Sequence, residues 1–163
     1  MLKRTKIVKL LAAEQPMEDV LIKGWVRTRR DAKDFSFVEV NDGSCQKNMQ
    51  VIANENLANY SEVKKLSTGS SVAIKGALVE SQGGNQKYEV VAKEIEIYDI
   101  APDDYPLQKK RHTDEYLRSI AHLRPRTNKY GAAFRVRSEL SYAIHKFFHD
   151  RGFSYVPTPI ITG

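Results

Sequence analysis

The amino-acid sequence predicts a mainly β fold built on a five-stranded barrel, and three observations favour it. Between residues 19 and 99, short stretches alternate apolar and polar residues with the period of a strand. Gly- and Asn-containing turns, such as Asn41-Asp42-Gly43 and Gln82-Gly83-Gly84-Asn85, separate these stretches. One segment, residues 57–66, changes to helical spacing, so three strands, a helix and two strands follow one another.

The predicted strands cover residues 20–30, 35–40, 47–53, 71–81 and 87–98. The helix after the third strand rests on apolar residues at three-residue spacing, and Thr68-Gly69 ends it. The spaced residues are Leu57, Tyr60, Val63 and Leu66. A helix between strands three and four is the order of an OB-fold, with another small β-barrel as the alternative. An amphipathic N-terminal helix is predicted to cover the barrel with Ile7, Val8, Leu10 and Leu11.

Beyond the barrel the composition changes twice. Residues 101–130 carry charge and three prolines, which predicts a linker or hinge with little core of its own. From residue 131 one helical face collects Ala133, Val136, Leu140, Ala143, Ile144 and Phe147. Gly152 is predicted to end this helix, and Pro157 and Pro159 exclude a helix from the extended segment 153–161. The predicted domains are residues 1–102, 103–130 and 131–163.

Composition limits the function. Lys and Arg outnumber Asp and Glu by 26 to 20, a net charge of +6 that favours a polyanionic partner without requiring one. The single cysteine, Cys45, excludes an intrachain disulfide and suits a reducing cytoplasm. No apolar run is long enough for a membrane span. No P-loop, metal-ligand cluster or activated nucleophile is present, so no catalytic residue and no metal site are predicted within these residues.

Alternation along the strands predicts an outer face that suits single-stranded nucleic acid. The residues predicted to point inward are Val38, Val40, Met49 and Val51, and those predicted to point outward are Phe35, Phe37, Glu39 and Gln50. An exposed aromatic ring can stack on a base, and a neighbouring amide can bond to a base edge. An aromatic side chain that caps one end of the barrel is the structural alternative for Phe35 or Phe37.

Charged residues flank this face. The first strand supplies cations that could neutralise phosphates: Lys23, Arg27, Arg29, Arg30 and Lys33. In a regular strand Arg30 would not share the outward side of Arg27 and Arg29, so a bulge or the strand end would have to redirect it. Glu89 in the fifth strand could accept a hydrogen bond from a base, such as the amino group of guanine. A solvated charged strand and a surface ion pair are the alternatives.

Residues 24–31 (GWVRTRRD) and 35–44 (FSFVEVNDGS) resemble the anticodon-binding domain of the class IIb aminoacyl-tRNA synthetases, the aspartyl, asparaginyl and lysyl enzymes. The linker sequences at residues 105–112 and 121–127 are similar to those of asparaginyl enzymes in particular. The resemblance covers residues 20–163. It implies that Phe37 stacks on the central anticodon base, that Gln50 bonds to that uridine, and that Arg30 assists them. Glu89 matches an acidic residue near the first anticodon base.

Residues 151–161 look like motif 1 of class II synthetases, a helix and strand ending at Pro159 that forms the dimer interface in that family. Motifs 2 and 3, which contact ATP, are not found, so the chain is expected to bind tRNA(Asn) and to catalyse nothing. The resemblance implies a cytoplasmic, homodimeric parent that activates asparagine with ATP and Mg²⁺ and transfers it to the tRNA. The alternatives are an aspartyl enzyme, including one that charges two tRNAs, a free-standing single-strand-binding OB protein, and a protein-interaction barrel.

Overall fold

Five strands close into one barrel in the order β1-β2-β3-β5-β4 in the computed structural model, which describes residues 2–84 and 86–161. The strands are β1 (Met17–Asp31), β2 (Phe35–Asn41), β3 (Met49–Asn54), β4 (Ser71–Glu80) and β5 (Tyr88–Asp99). The helices are α1 (Ile7–Leu11), α2 (Tyr60–Val63), α3 (Asp114–Ser119) and α4 (Asn128–His149), with a 3-10 turn at Arg124–Arg126. The parallel β3–β5 pairing closes the barrel, and the other pairings are antiparallel. The predicted OB-fold is confirmed.

The barrel core follows the predicted alternation. Val38, Val40, Met49 and Val51 are fully buried, while Glu39 and Gln50, which lie between them in sequence, are half-buried. The strand β3 begins at Met49 rather than Lys47, because the Asn41 side chain holds the preceding residues in a turn. Its Nδ2 donates to the carbonyls of Cys45 and Lys47 at 3.2 and 3.1 Å.

The short helices cover the core at its openings. Ile7 and Leu10 of α1 are fully buried, whereas Val8, predicted to pack inward, is 40% exposed because α1 is a single turn with room for one buried face. The helix between β3 and β4 is shorter than predicted. Turns flank α2 on both sides, yet Leu57, Val63 and Leu66 all enter the core as the spacing predicts.

Asp42, in the turn after β2, anchors the N-terminal segment. Its carboxylate accepts hydrogen bonds from the backbone N–H of Ile7 at 3.0 Å and from Ser44 Oγ at 2.6 Å, and it pairs with Arg4 at 3.3 Å. Burial by itself would raise the pKa of Asp42, but the hydrogen bonds from Ser44, Ile7 and Arg4 outweigh it, so the pKa lies below its ordinary value. The ionised form therefore stabilises this contact.

Two glycines permit close strand contacts. A Cβ at Gly76 would lie 2.2 Å from the carbonyl oxygen of Val91, and one at Gly24 would lie 2.6 Å from that of Asn41. Neither distance is sterically possible, so both positions require a residue without a side chain. The Gly76 contact lies beside the irregularity between Lys75 and Gly76 in the β4–β5 pairing.

The chain divides into two compact units, one ending at Ile120 and one beginning at Ala121. Part of the predicted linker belongs to the first unit. Ala101, Leu107 and Leu117 are buried, and Ser67 Oγ donates to the carbonyl of Ala101 at 2.7 Å. The predicted boundaries at residues 102 and 130 stay predictions.

The second unit is built on α4, which starts at Asn128 rather than residue 131 because Thr127 caps it through a hydrogen bond from Tyr130 N to Oγ1. Gly152 has a φ of 84°, in the left-handed region that ends helices, as predicted. Residues 153–161 form no helix or strand hydrogen-bonding pattern. The apolar side chains predicted for one face, such as Val136, Leu140 and Phe147, are at least half exposed.

Candidate nucleic-acid interface

Arg30 lies over the ring of Phe37, with 4.9 Å between its guanidinium carbon and the ring centre. A bulge in β1 produces this contact. Val26 pairs with Val40, Arg27 is skipped, and Thr28 pairs with Glu39, so Arg30 comes to lie opposite Phe37. The extra residue changes the side of β1 on which the following side chains lie, so Arg30 shares the outer face with Phe37. The regular alternation of the sequence predicts this placement only if such a bulge is present. The pair combines a cation–π contact with a positive charge at the surface.

Arg29 points to the other side of β1, opposite Val38. Its Nη1 donates to the carbonyls of Val63 and Leu66 at 3.4 and 3.1 Å, and to that of Lys64. These carbonyls lie at the end of α2 and in the turn after it, where helical partners are missing. Arg29 was expected to contact a phosphate, and in the structure it holds α2 on the barrel instead.

Two rows of side chains cross the outer face of β2, β3 and β5. The polar row contains Glu39, Gln50 and Glu89, and the apolar row contains Phe37, Ile52 and Val91. Strand pairing fixes both rows, because Glu39 lies opposite Gln50, and Phe37 lies opposite Ile52. The structure therefore brings Phe37 and Gln50 together on adjacent positions of one face, as the alternation predicts.

Glu89 is 4% exposed, although the sequence places it on the outer face. Gln50 Nε2 donates to Glu89 Oε2 at 2.9 Å, and Ser81 Oγ donates to the same oxygen at 3.1 Å. The acid thus ends the polar row, beside Gln50 on the neighbouring strand. Glu39, on the other side of Gln50, is held by a different residue, because Asn48 Nδ2 donates to Glu39 Oε2 at 3.0 Å.

A groove of about 920 Å³ lies over the two rows. Phe35 contributes to one wall and meets Phe37 edge to face, with ring centres 4.9 Å apart. The β4–β5 loop contributes Ser81 and Gln82 to the opposite wall. An aromatic floor, an amide and surrounding polar atoms suit an unpaired base, which offers two flat faces and a hydrogen-bonding edge.

The cations predicted to contact phosphates are dispersed. Lys23 pairs with β4 and has its Nζ 5.4 Å from the Tyr98 ring centre, Arg27 is the half-buried bulge residue, and Lys33 is exposed in the β1–β2 turn. Two exposed lysines that sequence reasoning missed, Lys47 and Lys87, line the groove itself. Each adjoins the end of a strand, and their shared location depends on the β3–β5 pairing, which leaves no local sequence signal.

Residues 2–84 and 86–161 contain no group of three or more His, Cys, Asp or Glu side chains placed to hold a metal ion. Within the same ranges, none of the helices has both the length and the apolar character needed to cross a membrane.

The sequence of residues 20–98 matches the family described as an OB-fold nucleic acid binding domain. The match spans the five strands and α2, so it covers the whole outer face that carries Phe37 and Gln50. The OB-fold domain is therefore the part of the chain in which a nucleic-acid site is expected.

The chain is similar to asparagine–tRNA ligases over nearly its whole length. The chain is 59% identical to the asparagine–tRNA ligase of Oleidesulfovibrio alaskensis over 163 residues, 99% of this chain and 35% of the relative. It is 57% identical to that of Geotalea uraniireducens over 159 residues, 98% of this chain and 34% of the relative. The predicted resemblance to the asparaginyl enzymes is confirmed. The chain spans about a third of the length of these curated relatives.

A solved structure shows the same fold. The asparaginyl-tRNA synthetase from Pyrococcus horikoshii, complexed with asparaginyl-adenylate, superposes with a TM-score of 0.86 at 22% identity. The superposition covers 98% of this chain and 37% of that one. At this identity the likeness concerns the fold alone.

Proposed function

We propose that the groove of the OB-fold domain binds the anticodon loop of tRNA(Asn), and that the chain is the tRNA-recognition part of an asparagine–tRNA ligase. The observation that carries this proposal is the Phe37 ring, stacked beneath Arg30 and beside the amide of Gln50 on one barrel face. An anticodon loop is single-stranded and presents unpaired bases, the form of RNA that such a face can bind.

Each part of the groove has a chemical task. Phe37 and Ile52 offer an apolar surface on which the central anticodon base stacks. Gln50 bonds to the Watson–Crick edge of that base, a uridine, and Arg30 supplies positive charge beside it. Lys47 and Lys87 at the groove rim, with the more distant Lys23 and Lys33, attract the phosphates, so binding weakens as salt rises.

The catalytic part of the proposed ligase lies outside these residues. The whole protein would activate asparagine with ATP and Mg²⁺ and transfer it to the tRNA in the cytoplasm. We infer that the two thirds of the relatives' length that this chain does not cover hold ATP and the metal.

We also propose that α4 and the segment ending at Pro159 form a homodimer interface in the whole protein. Val136 and Leu140 are 66% and 58% exposed, and Phe147 is 50% exposed. A helix with such apolar residues exposed is typical of one that packs against a partner. Sedimentation of the whole protein tests this, because charged substitutions at Val136 and Leu140 should convert a dimer into a monomer.

Titration with anticodon stem-loops tests the central proposal. The 163-residue chain should bind a stem-loop with a central uridine more tightly than matched stem-loops with cytidine, adenosine or guanosine there. Affinity for the cognate loop should fall steeply with salt. Equal affinities for all four loops would contradict base recognition by this face, and equal binding of an unstructured oligonucleotide would favour a general single-strand binder.

A further inference from the structure

We infer that Glu89 is a positioning residue, whose buried carboxylate fixes the orientation of the Gln50 amide and thereby makes the site select uracil over cytosine. The inference rests on the proposed function, since it concerns how Gln50 recognises the central base. It assigns Glu89 a task beyond the direct contact with the first anticodon base that the family resemblance implies.

The hydrogen bonds determine which way the amide faces. Gln50 Nε2 lies 2.9 Å from Glu89 Oε2, and a carboxylate can only accept hydrogen bonds. The NH₂ group of Gln50 must therefore face Glu89, because the reverse orientation would place two oxygens in contact. Ser81 Oγ donates to the same Oε2 at 3.1 Å and holds the carboxylate in place from the end of β4.

The opposite side of the amide is left for a ligand. Gln50 Oε1 accepts no hydrogen bond from the described residues, and one of the two Nε2 hydrogens is not used by Glu89. Gln50 thus presents an acceptor and a donor in a fixed order. An amide free to turn over would present the two in either order.

The fixed order of acceptor and donor on Gln50 matters because uracil and cytosine present their own donors and acceptors in different orders. Uracil offers an N3–H donor between two carbonyl acceptors, whereas cytosine offers an unprotonated N3 acceptor beside an amino donor. A locked Gln50 oxygen accepts from uracil N3–H and faces the lone pair of cytosine N3. A Gln50 amide able to rotate could satisfy both bases. Loss of the Glu89 hydrogen bond that prevents this rotation, here called the lock, should therefore reduce the selectivity for uracil over cytosine.

Burial limits how much of Glu89 a base can meet. Glu89 lines the groove together with Gln50 and Phe37, but it is 4% exposed and its Oε2 already accepts two hydrogen bonds. Gln50 and Phe37 are half-buried and therefore offer a base more accessible surface than the carboxylate does.

The chain contains a matched control. Glu39 lies opposite Gln50 on the other neighbouring strand, lines the same groove, and has its Oε2 bound by Asn48 rather than by Gln50. Glu39→Gln removes the same charge from the same face without unlocking the amide. Both substitutions remove one negative charge from the groove, so a difference in base selectivity between them reports the hold of Glu89 on the Gln50 amide.

The experiment compares Kd values of stem-loops with a central uridine or cytidine for the 163-residue chain and its variants. Glu89→Gln should lower the uridine-to-cytidine preference about tenfold, the contribution of one hydrogen bond. Ser81→Ala, which loosens the carboxylate without touching Gln50, should lower it by less, and Glu39→Gln should leave it unchanged. In a Gln50→Ala background, Glu89→Gln should have no further effect on the preference.

Each outcome decides between the roles. A wild-type chain without preference for uridine contradicts the proposed function itself. A wild-type preference that survives both Glu89→Gln and Ser81→Ala overturns the lock while leaving the proposed function intact. A Glu89→Gln effect that persists in the Gln50→Ala background and depends on the first anticodon base shows direct contact. The side-chain NH₂ resonances of Gln50 give a ligand-free test, since they should shift and broaden in Glu89→Gln if that variant is folded.

Discussion

Arg30 and Phe37 form a stacked pair across the β1–β2 pairing, with the guanidinium carbon 4.9 Å from the ring centre. The cation covers one part of the ring and the groove gives access to the rest. The pair is assembled before any ligand binds, so the aromatic surface loses little side-chain freedom on binding.

Replacing Phe37 by Ala should weaken stem-loop binding by about 1–3 kcal/mol, the usual contribution of one base stacked on an aromatic ring. Phe37→Tyr keeps the ring and should retain most of the affinity. Isothermal titration of both variants checks the expectation. Tyr98→Ala, which removes an exposed ring of β5 away from the groove, is the control, and a loss as large as that of Phe37→Ala would contradict a specific stack.

The neighbouring arginines should have separable effects. Arg30→Ala should reduce RNA affinity and the steepness of its salt dependence while leaving the melting temperature nearly unchanged. Arg29→Ala should instead lower the free energy of unfolding by about 1–3 kcal/mol, because partly buried carbonyls at the end of α2 lose a charged donor. Denaturant unfolding and RNA titration of both variants measure the two effects, and a reversal of the pattern would refute this division.

Asp42→Asn should destabilise the chain at pH 7 by about 1–3 kcal/mol, as expected when a hydrogen-bonded carboxylate is lost. The folded-state pKa of Asp42 lies below its ordinary value of 3.8, so its contribution is complete above that value and disappears as pH falls through the folded pKa. The stability gap between wild type and Asp42→Asn should therefore be constant near neutrality and close in acid. Asp19→Asn, which alters an exposed ion pair with Lys93, should produce no measurable gap at either pH.

Gly76→Ala should destabilise the barrel by about 1–3 kcal/mol or more, because the added methyl meets the carbonyl of Val91 and cannot be accommodated by side-chain motion. Gly84→Ala is the comparison, since a methyl there meets no atom within 4 Å. Thermal melts of the two variants test this. Equal melting temperatures would mean that β4 and β5 can separate without cost at Gly76.

The sequence is sufficient to locate the five strands along the chain and to predict the face on which Phe37 and Gln50 lie. Both predictions follow from an alternation of residues that is local to each strand. It is insufficient for Arg30, whose direction depends on a bulge that exists only when β1 pairs with β2. Likewise, the burial of Glu89 depends on β3 and β5, distant in the chain, lying side by side.

The N-terminal segment illustrates the same limit. Helical spacing correctly predicts that Ile7 and Leu10 are apolar contacts, but the contact that fixes α1 is the Asp42 carboxylate in a turn far along the chain. That turn was predicted for its backbone shape. Its second use, as an anchor for another segment, depends on tertiary structure.

The bulge at Arg27 also bears on how the hairpin tolerates changes in length. If β1 paired regularly beyond Val26, Arg29 would lie opposite Phe37 and Arg30 opposite Ser36. An arginine would still cover the aromatic ring, because the two arginines are consecutive. Either of the two consecutive arginines can therefore cover Phe37, depending on the register of the hairpin. A gene that gained or lost one codon before Arg29 could still encode an arginine opposite Phe37.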